Sequence, residues 1–145
     1  MNAITTMPSA VSVLAWDRLL RAGEAALETA RAELKHAGLP APEWYDVLVA
    51  IERHGPLRPR DLQARLPIAQ YHLSRLLDRM VREGLVRRVP TPEDARGHTV
   101  ELSPQGKAAR ALMWPAYATA IESVIGARLC ESERIALANL LARLA

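Results

Sequence analysis

Apolar residues recur at helical spacing along most of the chain, and polar residues fill the positions between them. Residues 9–37 carry leucines and alanines three and four positions apart, with charged residues on the other face, which predicts one long helix. The same spacing predicts shorter helices over residues 42–54, 60–66, 69–83 and 104–126 and from residue 131 onward. Pro115 should bend the helix over residues 104–126, because its ring removes a hydrogen bond and clashes with the preceding turn.

Period-two alternation replaces the helical spacing between residues 85 and 102. Residues 85–89 predict a strand that ends at Pro90, because proline has no N–H to donate to a ladder. Residues 94–97 then predict a turn, and residues 98–102 a returning strand. This order of short helix, turn, helix and hairpin predicts a winged helix-turn-helix. The expected fold class is therefore mostly α with a small β-hairpin wing (α+β), flanked by long helices.

The elements divide into three parts of one compact unit. Residues 1–37 form an N-terminal dimerisation helix, residues 38–103 the winged helix-turn-helix, and residues 104–145 the C-terminal dimerisation helices. The first helix is too long to be covered by the few other elements of so small a chain. The last helix carries an apolar stripe formed by Leu137, Leu140, Leu141 and Leu144. Both helices need a partner, and we therefore expect a homodimer.

The distribution of charge indicates what the central part contacts. The chain has 145 residues, of which 50% are apolar and 24% charged, which favours a folded domain over a disordered one. Residues 58–98 hold nine arginines and five acids, whereas the remaining chain has ten basic and eleven acidic residues. The planar fork of arginine suits phosphate and guanine, so this excess favours double-stranded DNA as the partner. An arginine-rich surface without a nucleic-acid role remains the alternative.

Other functional classes find little support in the residues. No apolar run is long enough to span a membrane, and no Gly-rich phosphate loop, nucleophile elbow or acid–base pair indicates an enzyme. The histidines are dispersed, so we expect neither a metal nor a cofactor. Residues 1–18 lack basic residues ahead of their apolar part, so we expect no secretion signal. The single cysteine, Cys130, excludes an internal disulfide, and we expect a cytoplasmic protein.

Three motifs resemble one known family. They are Leu73-Ser74-Arg75-Leu76 through Arg82-Glu83-Gly84-Leu85-Val86, then Asp94-x-Arg96-Gly97, then Val100-x-Leu102-Ser103-x-x-Gly106. With the order of elements, they resemble the multiple-antibiotic-resistance regulator (MarR) family of winged helix-turn-helix regulators. The resemblance implies a sequence-specific DNA-binding transcriptional regulator, a repressor that acts as a homodimer on a pseudo-palindromic operator. A winged-helix module that binds protein instead of DNA is the alternative.

The resemblance also assigns roles to individual residues. It implies that the helix over residues 69–83 enters the major groove, that Arg96 reaches the minor groove from the wing tip, and that Asp94 supports the wing by pairing with a nearby arginine. The expected DNA-binding residues are Arg58, Gln70, Tyr71, His72, Ser74, Arg75, Arg79, Arg88 and Arg96. Tyr71 or His72 could instead fold back onto the core. Bulky residues at the start of the helix, and Pro67-Ile68 in place of a polar cap, depart from the family pattern, so base preference does not transfer.

Two further features carry chemistry that the sequence leaves open. Family members bind small phenolic or aromatic effectors, and Trp16, Trp44 and Trp114 stand on elements that could line such a cleft. Packing in the core or in an interface is the other interpretation of these residues. Cys130 stands at the start of the last helix, where a thiol can be reactive, although Ser132 competes as the cap.

Overall fold

The computed structural model describes residues 6–145, and in this range the chain forms six α-helices and a two-stranded hairpin. The elements are α1 Ala10–His36, α2 Pro42–His54, α3 Pro59–Arg65, α4 Gln70–Arg82, β1 Val86–Thr91, β2 Asp94–Leu102, α5 Pro104–Ile121 and α6 Glu131–Ala142. This architecture confirms the predicted fold class, α+β with a hairpin wing. The first five residues of the predicted N-terminal part, where the secretion-signal expectation begins, lie outside the described residues.

The helix boundaries follow from local chemistry. The Ser9 hydroxyl accepts the Ser12 N–H at 3.1 Å and starts α1, and the Ser103 hydroxyl accepts the Gly106 N–H at 3.0 Å and starts α5. Pro42 opens α2, where its missing N–H costs nothing. Gly84 follows α4 with φ of 75°, a left-handed conformation that favours glycine after a helix. The predicted boundaries of these helices agree with the structure to within one residue or two, except at the end of α5.

One hydrophobic core joins the helices to the base of the hairpin. Leu73, Leu76, Leu77 and Met80 form the buried face of α4, as the apolar spacing predicted. They pack with α2, with Val86 and Val100 of the hairpin and with Met113 of α5. Leu34 belongs to the same core and anchors the C-terminal end of α1. α4 and the hairpin are therefore fixed on one side, while their other side stays open.

The hairpin departs from the prediction at Pro90. This residue continues β1 and pairs with His98, so the prediction that it ends the strand was wrong. An edge strand tolerates proline because a missing N–H on its outer side breaks no ladder bond. The next pair is Thr91 with Asp94, so residues 95–97 form a bulge without ladder partners. The predicted turn at 94–97 was therefore wrong as well, since the turn itself lies at residues 92–93.

The C-terminal region contains one irregularity that the sequence did not predict. α5 continues through Pro115, and the Thr119 hydroxyl donates to the Pro115 carbonyl at 2.9 Å. α5 ends at Ile121, earlier than predicted, and a π-helical turn over Glu122–Gly126 follows it, closed by the Ala127 N–H on the Glu122 carbonyl at 2.7 Å. No residue of α6 is buried within the chain. Among residues 6–145, no helix combines the length and the apolar character needed to cross a membrane.

Candidate nucleic-acid interface

The outward face of α4 is polar from its first residue. α4 begins at Gln70 after Ala69, which makes no side-chain capping bond, so the departure at Pro67-Ile68 leaves the helix without a polar cap. Exposed side chains of the first two turns are Gln70, Tyr71, His72, Ser74 and Arg75. Tyr71 is 70% exposed and its ring lies 6.3 Å from that of His72. Neither side chain folds back onto the core, so both are free to contact a partner.

The wing tip has a fixed backbone. The Asp94 carboxylate accepts the backbone N–H of Arg96 at 2.9 Å, and the Thr91 hydroxyl donates to the Asp94 carbonyl at 3.1 Å. A Cβ at Gly97 would lie 2.9 Å from the Thr91 hydroxyl, which explains the glycine there. Asp94 thus supports the wing through the backbone, and the expected ion pair with an arginine is not among those of the described residues. The Arg96 side chain is exposed.

Two arginines that the sequence assigned to DNA are held by other side chains. The guanidinium of Arg79 lies over the ring of Trp44, 5.3 Å from its centroid. The guanidinium of Arg88 pairs with the carboxylate of Asp78 on α4. The neighbouring Arg87 pairs with Glu101, its cross-strand partner, at 3.2 Å. Sequence reasoning missed these contacts because each joins residues that only the tertiary fold brings together.

The remaining arginines of this segment have no charged or aromatic partner in the described part of the chain. Within residues 6–145, six arginines of the segment take part in no ion pair or cation–π contact. They are Arg58, Arg60, Arg65, Arg75, Arg82 and Arg96. Arg58 is partly buried where it caps α3, and the other five are exposed. A surface with this many uncompensated guanidinium groups is suited to a polyanion.

The three tryptophans do not meet within one chain. Trp44 is buried on α2 beneath Arg79, whereas Trp114 of α5 stacks on Tyr45 with 6.1 Å between the ring centroids. Trp16 is 64% exposed on the N-terminal half of α1. The predicted cleft lined by all three is therefore not formed by a single protomer.

A different cleft surrounds Trp44. It has a volume of about 570 Å³ and lies between α1, α2 and α4. Its wall includes Arg31, Tyr71, Arg75 and Arg79, and the charge of Arg31 is partly balanced by Glu43 at 3.4 Å. The cleft combines aromatic surface with excess positive charge, and three of its lining residues, Tyr71, His72 and Arg75, belong to the outward face of α4.

An apolar groove of about 620 Å³ lies between α1 and the C-terminal elements. Leu19, Ala22 and Ala26 line one wall, and Ile125 and Leu141 belong to the other. These apolar side chains form a contiguous patch, and no other part of residues 6–145 covers it.

Cys130 and the acidic and histidine residues offer limited chemistry. In the part of the chain that the structure describes, no group of three or more His, Cys, Asp or Glu side chains is arranged to hold a metal ion. Cys130 is the N-cap of α6, with its Sγ atom 3.2 Å from the Ser132 hydroxyl. The hydrogen bond from Ser132, with help from the Glu133 backbone, lowers the pKa of the exposed Cys130 thiol below its ordinary value.

Comparison with known proteins places this geometry in a family. Residues 37–97 match the MarR family. The multiple antibiotic resistance protein MarR of Salmonella typhimurium is 38% identical over 64 residues. The aligned residues make up 44% of this chain and 44% of that relative, so the chain spans less than half of the relative's length.

Solved structures extend the likeness of fold to nearly the whole chain. A MarR family transcriptional regulator of Streptomyces coelicolor, solved in complex with DNA, superposes with a TM-score of 0.85 at 23% identity, covering 99% of this chain and 91% of that one. BpsR of Bordetella bronchiseptica, whose DNA binding is regulated by 6-hydroxynicotinic acid, gives 0.82 at 23% identity over 90% and 98%. Residues 37–97 therefore match the MarR family in sequence, and nearly the whole chain shares the fold of solved MarR family regulators.

Proposed function

We propose that the protein is a DNA-binding transcriptional regulator. The observation that carries this proposal is the set of unpaired arginines around α4 and the wing. α4 is of the length and polarity that fit the major groove, with Gln70, Tyr71 and Ser74 towards the bases. Arg96 is exposed at the end of a braced hairpin, the position from which a guanidinium enters the adjacent minor groove.

The alternative is a winged-helix module that binds protein, and the salt dependence of DNA binding separates the two. The dissociation constant for a random-sequence duplex would be measured at several salt concentrations. In a plot of log affinity against log salt concentration, each phosphate contact makes the slope more negative by about 0.9. Three or more contacts therefore give a slope of about −2.7 or steeper. No binding at low salt, or a flat dependence, would favour the protein-binding module.

The same proposal includes a homodimer on a pseudo-palindromic operator. The apolar groove between α1 and α6 needs a covering partner, and a second copy can supply its own α1 and α6 to it. A two-fold dimer presents two α4 helices to half-sites about one helical turn apart. Footprinting should then show two protected segments about 10 base pairs apart from centre to centre. A single protected segment would contradict the symmetric arrangement.

We further propose that bound protein represses the promoter that it covers, in the cytoplasm where its DNA partner lies. An operator that overlaps a promoter excludes the polymerase when the dimer is bound. The test is a reporter behind the protected DNA, compared with and without the intact gene for this protein. Repression predicts higher expression without the protein, and lower expression would identify an activator.

The proposed effector is a small planar aromatic anion that binds at the cleft around Trp44. The excess of guanidinium groups there favours an anion, and the aromatic side chains favour a planar ring. The regulation of the related BpsR by 6-hydroxynicotinic acid supports an effector of this type. Because Tyr71 and Arg75 line both the cleft and the DNA-facing surface, a ligand there would compete with DNA for them.

The effector proposal is tested with 6-hydroxynicotinic acid and benzoate as probes. Each should raise the dissociation constant for DNA in the wild-type protein and have little effect in Arg31→Ala, which keeps the outward face of α4 intact. Arg21→Ala, on an exposed turn of α1 where Arg21 pairs with Asp17 at 2.9 Å, is the matched control. An equal response of both variants would remove the cleft from the proposal.

A further inference from the structure

The inner face of the wing changes from apolar to polar along its length. Arg88 pairs with Val100, and Pro90 pairs with His98, so Arg88 and His98 share the face that carries buried Val86 and Val100. Near the core this face is held by hydrophobic packing. Towards the tip, Arg88 contacts α4 through a polar interaction instead.

The facing wall belongs to α4. Gln70, Ser74 and Asp78 follow one another at intervals of four residues and line a cleft of about 460 Å³ between α3, α4 and the wing. Asp78 is the acidic side chain among the residues that line it, and its carboxylate pairs with Arg88 across the cleft. The Asp78 and Arg88 side chains are 54% and 38% exposed, so the pair lies where the cleft meets solvent.

An acid at this position opposes binding to a polyanion. Asp78 lies on the same row of α4 as Gln70 and Ser74, which are proposed to face DNA, and a carboxylate there repels phosphates. This cost is understandable if Asp78 has a structural task on the wing. Arg88 pairs with Val100, and Arg96 lies four residues closer to the tip of the hairpin than Val100. A small rotation of the hairpin at Arg88 therefore displaces the tip by a larger distance.

We propose that the Asp78–Arg88 ion pair is a strut that sets the position of the wing tip relative to α4. Arg88 is then a positioning residue and not a phosphate ligand, in contrast to its role in the sequence-based assignment. The strut lets α4 and Arg96 reach consecutive grooves at the same time. This inference rests on the proposed DNA-binding function, and it changes which of the arginines contact DNA.

The two possible roles of Arg88 predict opposite effects of Asp78→Asn on the affinity for DNA. If Arg88 binds phosphate, removing Asp78 frees its guanidinium and removes a repulsive charge, so binding tightens. If the pair is a strut, Asp78→Asn and Arg88→Gln each weaken binding about fivefold, the fold-change that corresponds to the upper range of an exposed ion pair. The probe is the duplex that the wild-type protein selects from a random pool, with a scrambled duplex of equal length for comparison.

Two controls separate position from charge. Exchanging the partners, Asp78→Arg together with Arg88→Asp, should restore affinity to within about twofold of wild type, because the pair is rebuilt. Glu83→Gln removes an acid from the exposed end of α4 and should not weaken binding to the selected duplex. Tighter binding by Asp78→Asn, or an exchange variant as weak as the single variants, overturns the strut.

A second measurement needs no DNA and therefore stands apart from the proposed function. Hydrogen exchange of the backbone amides over residues 88–99 reports the mobility of the wing in the free protein. Asp78→Asn and Arg88→Gln should each accelerate this hydrogen exchange severalfold. The double variant with swapped charges, Asp78→Arg with Arg88→Asp, should return it to the wild-type rate. Unchanged exchange overturns the strut even if DNA binding is intact. If the wild-type protein selects no duplex, the proposed function fails. The hydrogen-exchange rates still test whether the Asp78–Arg88 pair holds the wing.

Discussion

Arg96 combines an anchored backbone with a free side chain. Its N–H is held by Asp94, whereas its guanidinium is exposed and makes no ion pair within residues 6–145. Arg96→Ala should therefore weaken binding to the selected duplex by about 1–3 kcal/mol, because it removes a groove contact. Thermal unfolding should not change, since no packing is lost. Fluorescence anisotropy and a melting curve measure the two quantities.

The matched control for this prediction is Arg87→Ala on the same hairpin. It removes the same charge, but Arg87 is engaged with Glu101. We expect a loss of less than about 0.5 kcal/mol, which is within the usual range for a surface substitution. Equal losses in both variants would mean that the wing contributes only general positive charge, and Arg96 would leave the set of groove contacts.

Cys130 allows a second prediction at the level of a single residue. Because the Ser132 hydroxyl lowers the pKa of the Cys130 thiol, a larger fraction is thiolate at neutral pH than for free cysteine. Alkylation by iodoacetamide should reach half its maximal rate at a lower pH than for a free cysteine. Ser132→Ala should move that midpoint upwards. If Ser132→Ala leaves the midpoint in place, the hydroxyl is not the cause.

Single residues also mark how far the sequence could predict the site. The exposure of the polar residues on the first two turns of α4 and of Arg96 was predicted, because a periodic pattern and a local motif mark these positions. The contacts of Arg79 with Trp44 and of Arg88 with Asp78 were not, because they join different elements. The sequence does contain one signal for the second contact: Asp78 is an acid on an otherwise basic and polar face of α4, and such an acid is stabilised by a cationic partner.

At the scale of the element, the start of α5 is joined to the end of α4. The Ser103 hydroxyl accepts the Gly106 N–H and donates to the Gly84 and Leu85 carbonyls, and Ser103 is buried. Ser103→Ala should lower the free energy of unfolding by about 2 kcal/mol, the upper end for an N-cap, because the buried Gly106 N–H loses its acceptor and the partly buried Gly84 carbonyl loses a donor. Urea denaturation measures this loss.

Ser9 provides the contrast, since it caps α1 with the same kind of bond at an exposed site. Water replaces its hydroxyl there, so Ser9→Ala should cost about 0.5 kcal/mol. Similar losses for Ser9→Ala and Ser103→Ala would show that burial adds nothing to the cap, and would contradict the proposed coupling of α4 to α5.

The elements differ in how well their sequence defines them. The helices were predicted closely because their apolar spacing, their serine caps and their glycines all agree. The wing was predicted less well, since Pro90 has the chemistry of a strand end and yet continues an edge strand. The bulge at residues 95–97 depends on pairing across the hairpin, which no local pattern of Asp94, Arg96 and Gly97 contains.

For the whole molecule, the distribution of buried and exposed apolar residues separates two tasks. The core joins α2, α4, the hairpin and α5, and it holds the proposed DNA-facing surface. The N-terminal half of α1 and the whole of α6 leave their apolar residues exposed in the single chain. Stability of those helices is expected to come from a second copy, so the folded state should depend on protein concentration.

Leu141→Asp tests this dependence directly. Leu141 lines the apolar groove and is partly exposed, so an aspartate there should leave the core of α2, α4, the hairpin and α5 folded and place a charge in the proposed dimer interface. The variant should sediment as a monomer and bind the selected duplex at least about a hundredfold more weakly, because the second half-site no longer adds to affinity. Ile135→Asp, on the opposite face of α6, should remain dimeric and bind normally, since Ile135 does not line the groove. A Leu141→Asp protein that stays dimeric would place the interface elsewhere, and a monomer that binds as tightly as wild type would remove two-fold symmetry from the recognition of DNA.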